Sequence, residues 1–141
     1  AGTPRILKEG ILGATDIGVL NCHPGLLPEF RGCTSVEWAI YLDKQVGNTI
    51  HIMSKGIDEG PIVRKEGLNF SISDAYQDVR VKVFSAGSKL MARTVNEIQC
   101  GKLSPEQFHS QGKGKYHSVI DAEKMAHVYQ KLDEGKYVFQ A

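Results

Sequence analysis

The segment GVLNCHPGLLPEFRG, residues 18–32, constrains the fold of this chain more than any other feature. It opens as a short apolar run typical of a buried strand, and a Pro-Gly pair ends that run at once. Side chains two positions apart on a strand point to the same face, so Asn21 and His23 share one face while Cys22 points to the other. The strand therefore carries an amide and an imidazole to its C-terminal end, where open α/β sheets bind their ligands.

Helical and strand periodicities alternate along the chain, which predicts an α/β domain with a mostly parallel sheet flanked by helices. Thr34 and Glu37 have the spacing of a capping box at a helix start. Apolar residues at helical period from Ser73 predict the longest helix, which Gly101 ends, and Asp121 is expected to cap a last, amphipathic helix. The predicted strands are residues 17–23, 48–54 and 61–70, and a short helix is predicted at 4–13.

Composition and charge favour a globular domain over a nucleic-acid-binding or membrane protein. A hydrophobic content of 41% and a charged content of 23% are ordinary for a soluble globular domain. The net charge of +1 predicts neither nucleic-acid binding nor attraction to a membrane surface. No apolar stretch reaches the roughly 20 residues that cross a bilayer. Cys22, Cys33 and Cys100 follow no disulfide or metal spacing, which predicts reduced thiols in a cytoplasmic protein.

Asp58 lies in a second glycine-bounded loop, GIDEGP, and would reach Asn21 and His23 if the strands before the two loops were parallel neighbours. An Asn amide can donate a hydrogen bond to a developing oxyanion. A His titrates near neutral pH and can move protons, and an Asp can orient that His or relay its proton. Because no Ser or Cys is clearly placed for activation by His23, this set suits acyl transfer without a covalent intermediate.

The same residues also have structural interpretations. Hydrogen-bonded polar residues are common at strand ends, and an Asp between glycines often only forms a turn. A zinc site built from Cys22, His23, Cys33 and His51 is disfavoured, because adjacent residues on a strand point to opposite faces and the spacing fits no standard pattern. We therefore expect no metal, and spacing alone leaves the site a candidate.

The stretch LNCHPGLLPEFRG, followed by TIHIMSKGIDEGPIV, resembles the formyltransferases that use 10-formyltetrahydrofolate. This family includes glycinamide ribonucleotide, methionyl-tRNA and sugar N-formyltransferases. Its hallmark is an Asn-x-His running into a Leu-Leu-Pro loop, then an Asp in a Gly-x-Asp-x-Gly-Pro loop. The resemblance implies that residues 1–101 form the C-terminal half of a Rossmann-like catalytic domain whose first half is missing, and that residues 102–141 are an extension with one amphipathic helix.

Carried over by position, the resemblance makes Asn21, His23 and Asp58 the catalytic residues. Asn21 and His23 would stabilise the tetrahedral intermediate formed when an amine attacks the formyl carbon. Asp58 would hold His23 in its working protonation state and help to move the proton of the amine through water. The family needs no metal. The implied folate-binding residues are Arg5, Ile6 and Leu7 beside the pterin ring, and Lys55, Gly56, Ile57, Glu59, Gly60 and Pro61 in the second loop.

The function implied by the resemblance is a transferase of one-carbon metabolism that moves a formyl group from 10-formyltetrahydrofolate to a primary amine. An amino sugar is the first choice of acceptor, because HIMSKGIDEGPIV and the helix after it look closer to the sugar-modifying members. Expected partners are then the small-molecule amine and the folate. Hydrolysis of the formyl donor, a non-catalytic folate-binding or assembly module, and a purely structural domain remain alternatives.

Two departures from the family pattern carry their own expectations. The family often has Ser where this chain has Gly25, which predicts a looser or reshaped loop. The missing first half would leave a sheet edge and apolar surface exposed, which predicts self-association through the incomplete sheet.

Overall fold

The computed structural model describes residues 7–141, and the helices and strands alternate as the sequence predicts, with shorter bounds. Two short strands, at Arg31–Gly32 and Tyr116–His117, differ from the prediction, and of the helix predicted at 4–13 the described part contains one turn. In chain order the elements are α1 (Glu9–Leu12), β1 (Leu20–His23), β2 (Arg31–Gly32), α2 (Ser35–Tyr41), β3 (Gly47–Ile52), β4 (Ile62–Gly67), α3 (Tyr76–Gln99), a 3-10 turn (Pro105–Gln107), β5 (Tyr116–His117) and α4 (Ala122–Asp133).

The larger sheet has the strand order β1-β3-β4, and both of its strand pairs are antiparallel. The expectation of a mostly parallel sheet is thus corrected: among the strands within residues 7–141, parallel pairing is confined to the short strands β2 and β5. A parallel pair needs a crossover of a dozen or more residues, and the loop between β3 and β4 is shorter than that. Helix α2 packs chiefly on α4, so it does not act as a crossover helix on the sheet.

Helix α3 covers one face of this sheet and leaves the other face to polar residues. Ile50 of β3 and Leu90 of α3 are almost fully buried, in a cluster completed by Val63 and Leu103 that we call the sheet cluster. Cys22 lies opposite Ile50 in the strand register and packs against the same cluster. Between residues 7 and 141, no helix combines the length and the apolar character that crossing a bilayer requires.

A second group of buried side chains joins α2, α3 and α4, and residues on both sides of Gly101 contribute to it. The hydroxyl of Tyr137 accepts a hydrogen bond from the backbone N–H of Val46 at 3.1 Å and donates one to the carbonyl of Lys44 at 2.6 Å. The division of the chain at Gly101 stays a prediction. The members of this helical cluster are Phe30, Val36, Ala39, Ile40, Val46, Phe70, Val79, Val83, Val128, Leu132 and Tyr137.

The predicted capping box at the start of α2 is wrong. Thr34 has left-handed backbone geometry, with φ of 45°, and its hydroxyl accepts a hydrogen bond from the N–H of Ile120 instead. Glu37 is buried and accepts hydrogen bonds from the Tyr76 hydroxyl at 2.5 Å and from Arg80 at 2.9 Å. The carboxylate that the local pattern assigned to a cap therefore ties α2 to α3.

The buried contacts of α4 predict a stability difference between two aliphatic residues near the C-terminus. Leu132 is 1% exposed, so Leu132→Ala leaves a cavity and is expected to lower the free energy of unfolding by about 2–5 kcal/mol. Val138 is 64% exposed, and Val138→Ala should change it by no more than about 0.5 kcal/mol. Urea denaturation measures both values, and equal effects would show that α4 is not part of the core.

Candidate active site

Strands β1 and β3 place two polar side chains directly opposite each other on the face away from α3. Asn21 pairs with His51 in the register, and Asn21 Nδ2 lies 3.1 Å from His51 Nε2. His51 Nδ1 lies 3.0 Å from the carbonyl oxygen of Ile52, so Nδ1 carries a proton and donates it. In the neutral ring, Nε2 therefore accepts from the amide of Asn21.

The loop between β3 and β4 brings Asp58 onto the same face. Asp58 Oδ2 lies 3.4 Å from His23 Nδ1, and Asp58 Oδ1 lies 3.5 Å from His51 Nε2. The structure thus brings Asn21, His23 and Asp58 together, although the strands are antiparallel and the expected route through parallel neighbours is not the one taken. The loop instead folds back over the face that carries the two histidines.

Backbone geometry at two residues makes this return of the loop possible. Asp58 has left-handed geometry, with φ of 53°, which Asp tolerates better than most residues. A Cβ atom on Gly60 would lie 1.7 Å from the carbonyl oxygen of Ile52, so only glycine fits where the loop passes β3. The N–H of Gly32 donates to Asp58 Oδ2 at 2.9 Å and fixes the carboxylate from the β2 side.

His23 is buried and its two ring nitrogens have different partners. Nε2 lies 2.6 Å from the carbonyl oxygen of Phe30 and 3.1 Å from Ser35 Oγ. Because a carbonyl only accepts, the proton of the neutral ring sits on Nε2, and Nδ1 faces Asp58 with its lone pair. Burial lowers the pKa of His23, against the opposing effects of the Asp58 carboxylate and the Phe30 carbonyl.

The surroundings of Asp58 keep it ionised. Burial by itself would raise its pKa, but the contacts with His51 and His23 and the Gly32 N–H outweigh that effect, so the pKa lies below the usual value for Asp. The carboxylate thus presents one oxygen to each of the two imidazole rings, Oδ2 to His23 and Oδ1 to His51.

The residues predicted to bind folate come from two segments that meet. Arg5 and Ile6 lie outside the described residues. Leu7 and Lys55 line one cavity of about 450 Å³, and Lys55 pairs with Glu9 on α1. In the second loop, Ile57 is 50% exposed and Glu59 Oε1 lies 3.5 Å from Arg31 Nη1. The remaining lining residues are Lys8, Glu9, Gly10 and Leu12.

Sequence reasoning assigned no role at this site to His51, Ser35 and Gln111, which all contact it. The alternation in TIHIMS does place His51 on the face opposite Ile50, but the expectation of parallel strands concealed its pairing with Asn21. No local pattern marks Ser35 or Gln111, since both reach the site through tertiary contacts. In the described part of the chain, no group of three or more His, Cys, Asp and Glu side chains is arranged to hold a metal ion.

The family model and curated proteins that this sequence matches are formyltransferases. The sequence model of the formyl transferase family matches residues 1–95. A methionyl-tRNA formyltransferase of Caldanaerobacter subterraneus is 32% identical over 125 residues, which cover 88% of this chain and 40% of that protein. The chain thus spans less than half the length of curated relatives it matches.

Solved structures share the fold. The formyltransferase PseJ from Anoxybacillus kamchatkensis, in complex with UDP-4,6-dideoxy-4-formamido-L-AltNAc and tetrahydrofolate, aligns with a TM-score of 0.76 over 94% of this chain and 73% of that one, at 23% identity. Phosphoribosylglycinamide formyltransferase from Bacillus halodurans aligns with a TM-score of 0.61 over 70% of this chain and 51% of that one, at 31% identity. The predicted formyltransferase fold is therefore confirmed.

Gly25 is tightly packed, in contrast to the expected loose loop. A Cβ atom there would lie 2.8 Å from Ser35 Cβ and 2.9 Å from His23 Nε2, and Thr49 Oγ1 also donates to the Gly25 carbonyl at 2.7 Å. Gly25→Ser is therefore expected to lower the free energy of unfolding by about 1–3 kcal/mol through overpacking.

The control for this substitution is Gly10→Ser, because a Cβ atom on Gly10 meets nothing within 4 Å. Removing the Ser35 side chain in a Gly25→Ser, Ser35→Gly double variant should recover part of the loss, since one of the two crowded contacts disappears. Thermal denaturation of the wild type, the Gly25→Ser, Ser35→Gly and Gly10→Ser variants and the double variant measures this, and strictly additive effects of the first two substitutions would rule out the packing contact.

Proposed function

The chain belongs to the formyl transferase family, and from that premise we propose that it transfers a formyl group from 10-formyltetrahydrofolate to a primary amine. The observation that carries the proposal is the convergence of Asn21, His23 and Asp58 on one sheet face, with ring-to-carboxylate distances of 3.4 and 3.5 Å from the two histidines. Tetrahydrofolate in PseJ and 5-N-formyl-THF in the sugar 3N-formyltransferase WlaRD support a folate donor.

In this proposal Asn21 stabilises the negative charge that develops on the formyl oxygen. Its Nδ2 carries two protons, and the contact with His51 uses one of them. Nδ2 can therefore donate its second N–H to an oxyanion. The half-buried position of Asn21 strengthens such a bond, because less water competes for it.

His23 and Asp58 together provide the place for the proton that the attacking amine loses. The bare Nδ1 of His23 faces Asp58 Oδ2, and a proton held between them has a partner on each side. The Nε2–H bond to Phe30 fixes the ring orientation, so Nδ1 stays directed at the carboxylate. In this role His23 acts through Nδ1. Its Nε2 does not contact the intermediate, because Nε2 already donates to the carbonyl of Phe30.

The cavity lined by Leu7 and Lys55 suits the folate. It joins the two segments that the family resemblance assigns to folate binding, and its lining combines the apolar side chains of Leu7 and Leu12 with the ion pair of Lys55 and Glu9. 10-Formyltetrahydrofolate, when bound, would supply the formyl carbon: the amine forms the new C–N bond, the bond from that carbon to N10 breaks, and N10 takes up the proton that the amine loses. The chain contributes the apolar contact and the backbone of the loop that carries Asp58.

An amino sugar is the proposed acceptor. The high structural overlap with PseJ, whose complex contains a formamido sugar nucleotide, supports this choice, whereas sequence relatives include methionyl-tRNA formyltransferases. Assays that offer a nucleotide-linked amino sugar and methionyl-tRNA in parallel distinguish the two. Formylation of the tRNA alone would overturn the choice of acceptor while leaving formyl transfer intact.

Substitution of His23 and Asp58 tests their catalytic assignment. His23→Ala and Asp58→Asn are expected to lower kcat about 10²–10⁴-fold, the usual contribution of a positioned acid or base. His127→Ala is the matched control, because this exposed histidine lies on α4. Fluorescence titration with a folate analogue should give similar affinities for all four proteins.

The same assays separate the alternatives. Formate release that does not depend on added amine indicates a hydrolase. Folate binding without turnover in the wild-type chain indicates a non-catalytic module, and equal rates in wild type and both variants would contradict the assigned roles.

Self-association through the edge of β1 that faces away from β3 is a further part of the proposal. β1 pairs with β3 on one edge, and within residues 7–141 no strand pairs with its other edge. Beside that edge lies an apolar cleft of about 620 Å³, lined by Cys22, Pro24, Val83, Phe84 and Met91 among others. We infer that a second copy covers this edge, because like edges pair antiparallel about a twofold axis.

Phe84 provides the test of self-association, since it is 60% exposed at the cleft. Light scattering is expected to show a dimer for the wild type and a monomer for Phe84→Lys. Val119→Lys, at a site 68% exposed away from the cleft, should remain dimeric. A monomeric wild type would contradict the proposal.

A further inference from the structure

The segment from His109 to His117 follows α3, beyond the residues matched by the formyl transferase family, and it borders the loop of Asp58. His109 exchanges two backbone hydrogen bonds with Ile62, at 2.8 and 2.9 Å, just after that loop. His117 pairs in register with Gly32, whose N–H holds the Asp58 carboxylate. The segment therefore contacts β4, which follows the Asp58 loop, and β2, which holds the Asp58 carboxylate.

Gln111 is the side chain of this segment that reaches the loop itself. Its Nε2 donates to the carbonyl oxygen of Asp58 at 2.9 Å and to that of Gly60 at 2.6 Å. Its Oε1 accepts from Arg31 Nη2 at 3.0 Å and from Arg31 Nε at 3.3 Å. The orientation of the amide is unambiguous, because guanidinium groups only donate and carbonyl groups only accept.

The hydrogen bonds from Gln111 stabilise the left-handed backbone conformation of Asp58. A non-glycine residue in the left-handed region persists where its surroundings fix it, and such residues concentrate at functional sites. The Gly32 N–H fixes the carboxylate, and Gln111 fixes the carbonyl of the same residue. Arg31, which holds Gln111, also lies 3.5 Å from Glu59 in the loop, so the loop is anchored at two points.

We propose that Gln111 is a positioning residue that sets the carboxylate of Asp58 against His23 and His51. It touches no reacting atom and acts through the backbone of Asp58 and Gly60. This inference rests on the proposed formyl transfer for its kinetic consequence, whereas its structural consequence can be measured without any activity. It also means that the site is completed by residues well beyond the family match.

Two substitutions separate the parts of the Gln111 contact. Gln111→Ala removes both ends of the amide, while Gln111→Glu keeps an acceptor for Arg31 and removes the two N–H bonds to the loop. Both are expected to lower kcat about 10–100-fold with a smaller change in KM for the amine, because a displacement of about 1 Å is enough for such a loss. Gln130→Ala, at an exposed site on α4, is the matched control and should behave as wild type.

A double-substitution cycle tests whether the effect passes through Asp58. In an Asp58→Asn background, Gln111→Ala should cause less than about a twofold further loss, because coupled residues are not additive. Hydrogen exchange of the backbone amides at residues 55–60 gives the readout that is independent of activity. Exchange there should be faster in both Gln111 variants than in the wild type and the Gln130 control.

Each outcome decides the proposal. A wild-type kcat in Gln111→Ala, or an undiminished loss in the Asp58→Asn background, overturns it. If the wild-type chain transfers no formyl group, or the Asp58→Asn background is too slow to measure, hydrogen exchange decides. Faster exchange in the two Gln111 variants then supports the positioning role even where the proposed function fails, and unchanged exchange rejects it.

Discussion

The carboxylate of Asp58 is the point on which the rest of the site depends. It meets His23 from β1, His51 from β3 and the N–H of Gly32 from β2, at distances between 2.9 and 3.5 Å. An ionised carboxylate in a partly buried position requires such partners, since an unpaired buried charge is costly. The contacts in turn fix the direction of both imidazole rings and, through His51, the amide of Asn21.

Alternation along the strands of the larger sheet separates two kinds of surface. Cys22 and Ile50 turn towards α3 and the sheet cluster, while Asn21 and His51 turn to the polar face. The apolar face supplies the packing that holds the strands in register. Register is therefore the link between core packing and the site, because a slip of one residue would exchange the two faces.

The C-terminal part of the chain contributes to the core and to the site around Asp58, as the sequence motifs do. Leu103 completes the sheet cluster, and Leu132 and Tyr137 pack in the helical cluster. Gln111 donates a hydrogen bond to the loop that carries Asp58, and β5 pairs with β2, whose Gly32 N–H donates to the Asp58 carboxylate. Family membership rests on residues 1–95, yet the geometry around Asp58 depends on contacts from outside that range.

The sequence by itself determined the local features of this protein. Alternation placed Asn21 and His23 on one face, periodicity predicted α3 and α4, and Asp121 caps α4 as expected by accepting from the Lys124 N–H at 2.9 Å. These follow from interactions between near neighbours. The glycine-bounded loop made Asp58 a third candidate, and the family resemblance then implied its catalytic role. Strand direction, the pairing of Asn21 with His51, the use of Glu37 as a link to α3 and the contact from Gln111 were decided only by the tertiary structure. The physical reason is that each joins residues far apart in the chain, and no local propensity specifies which distant partner a polar side chain will meet.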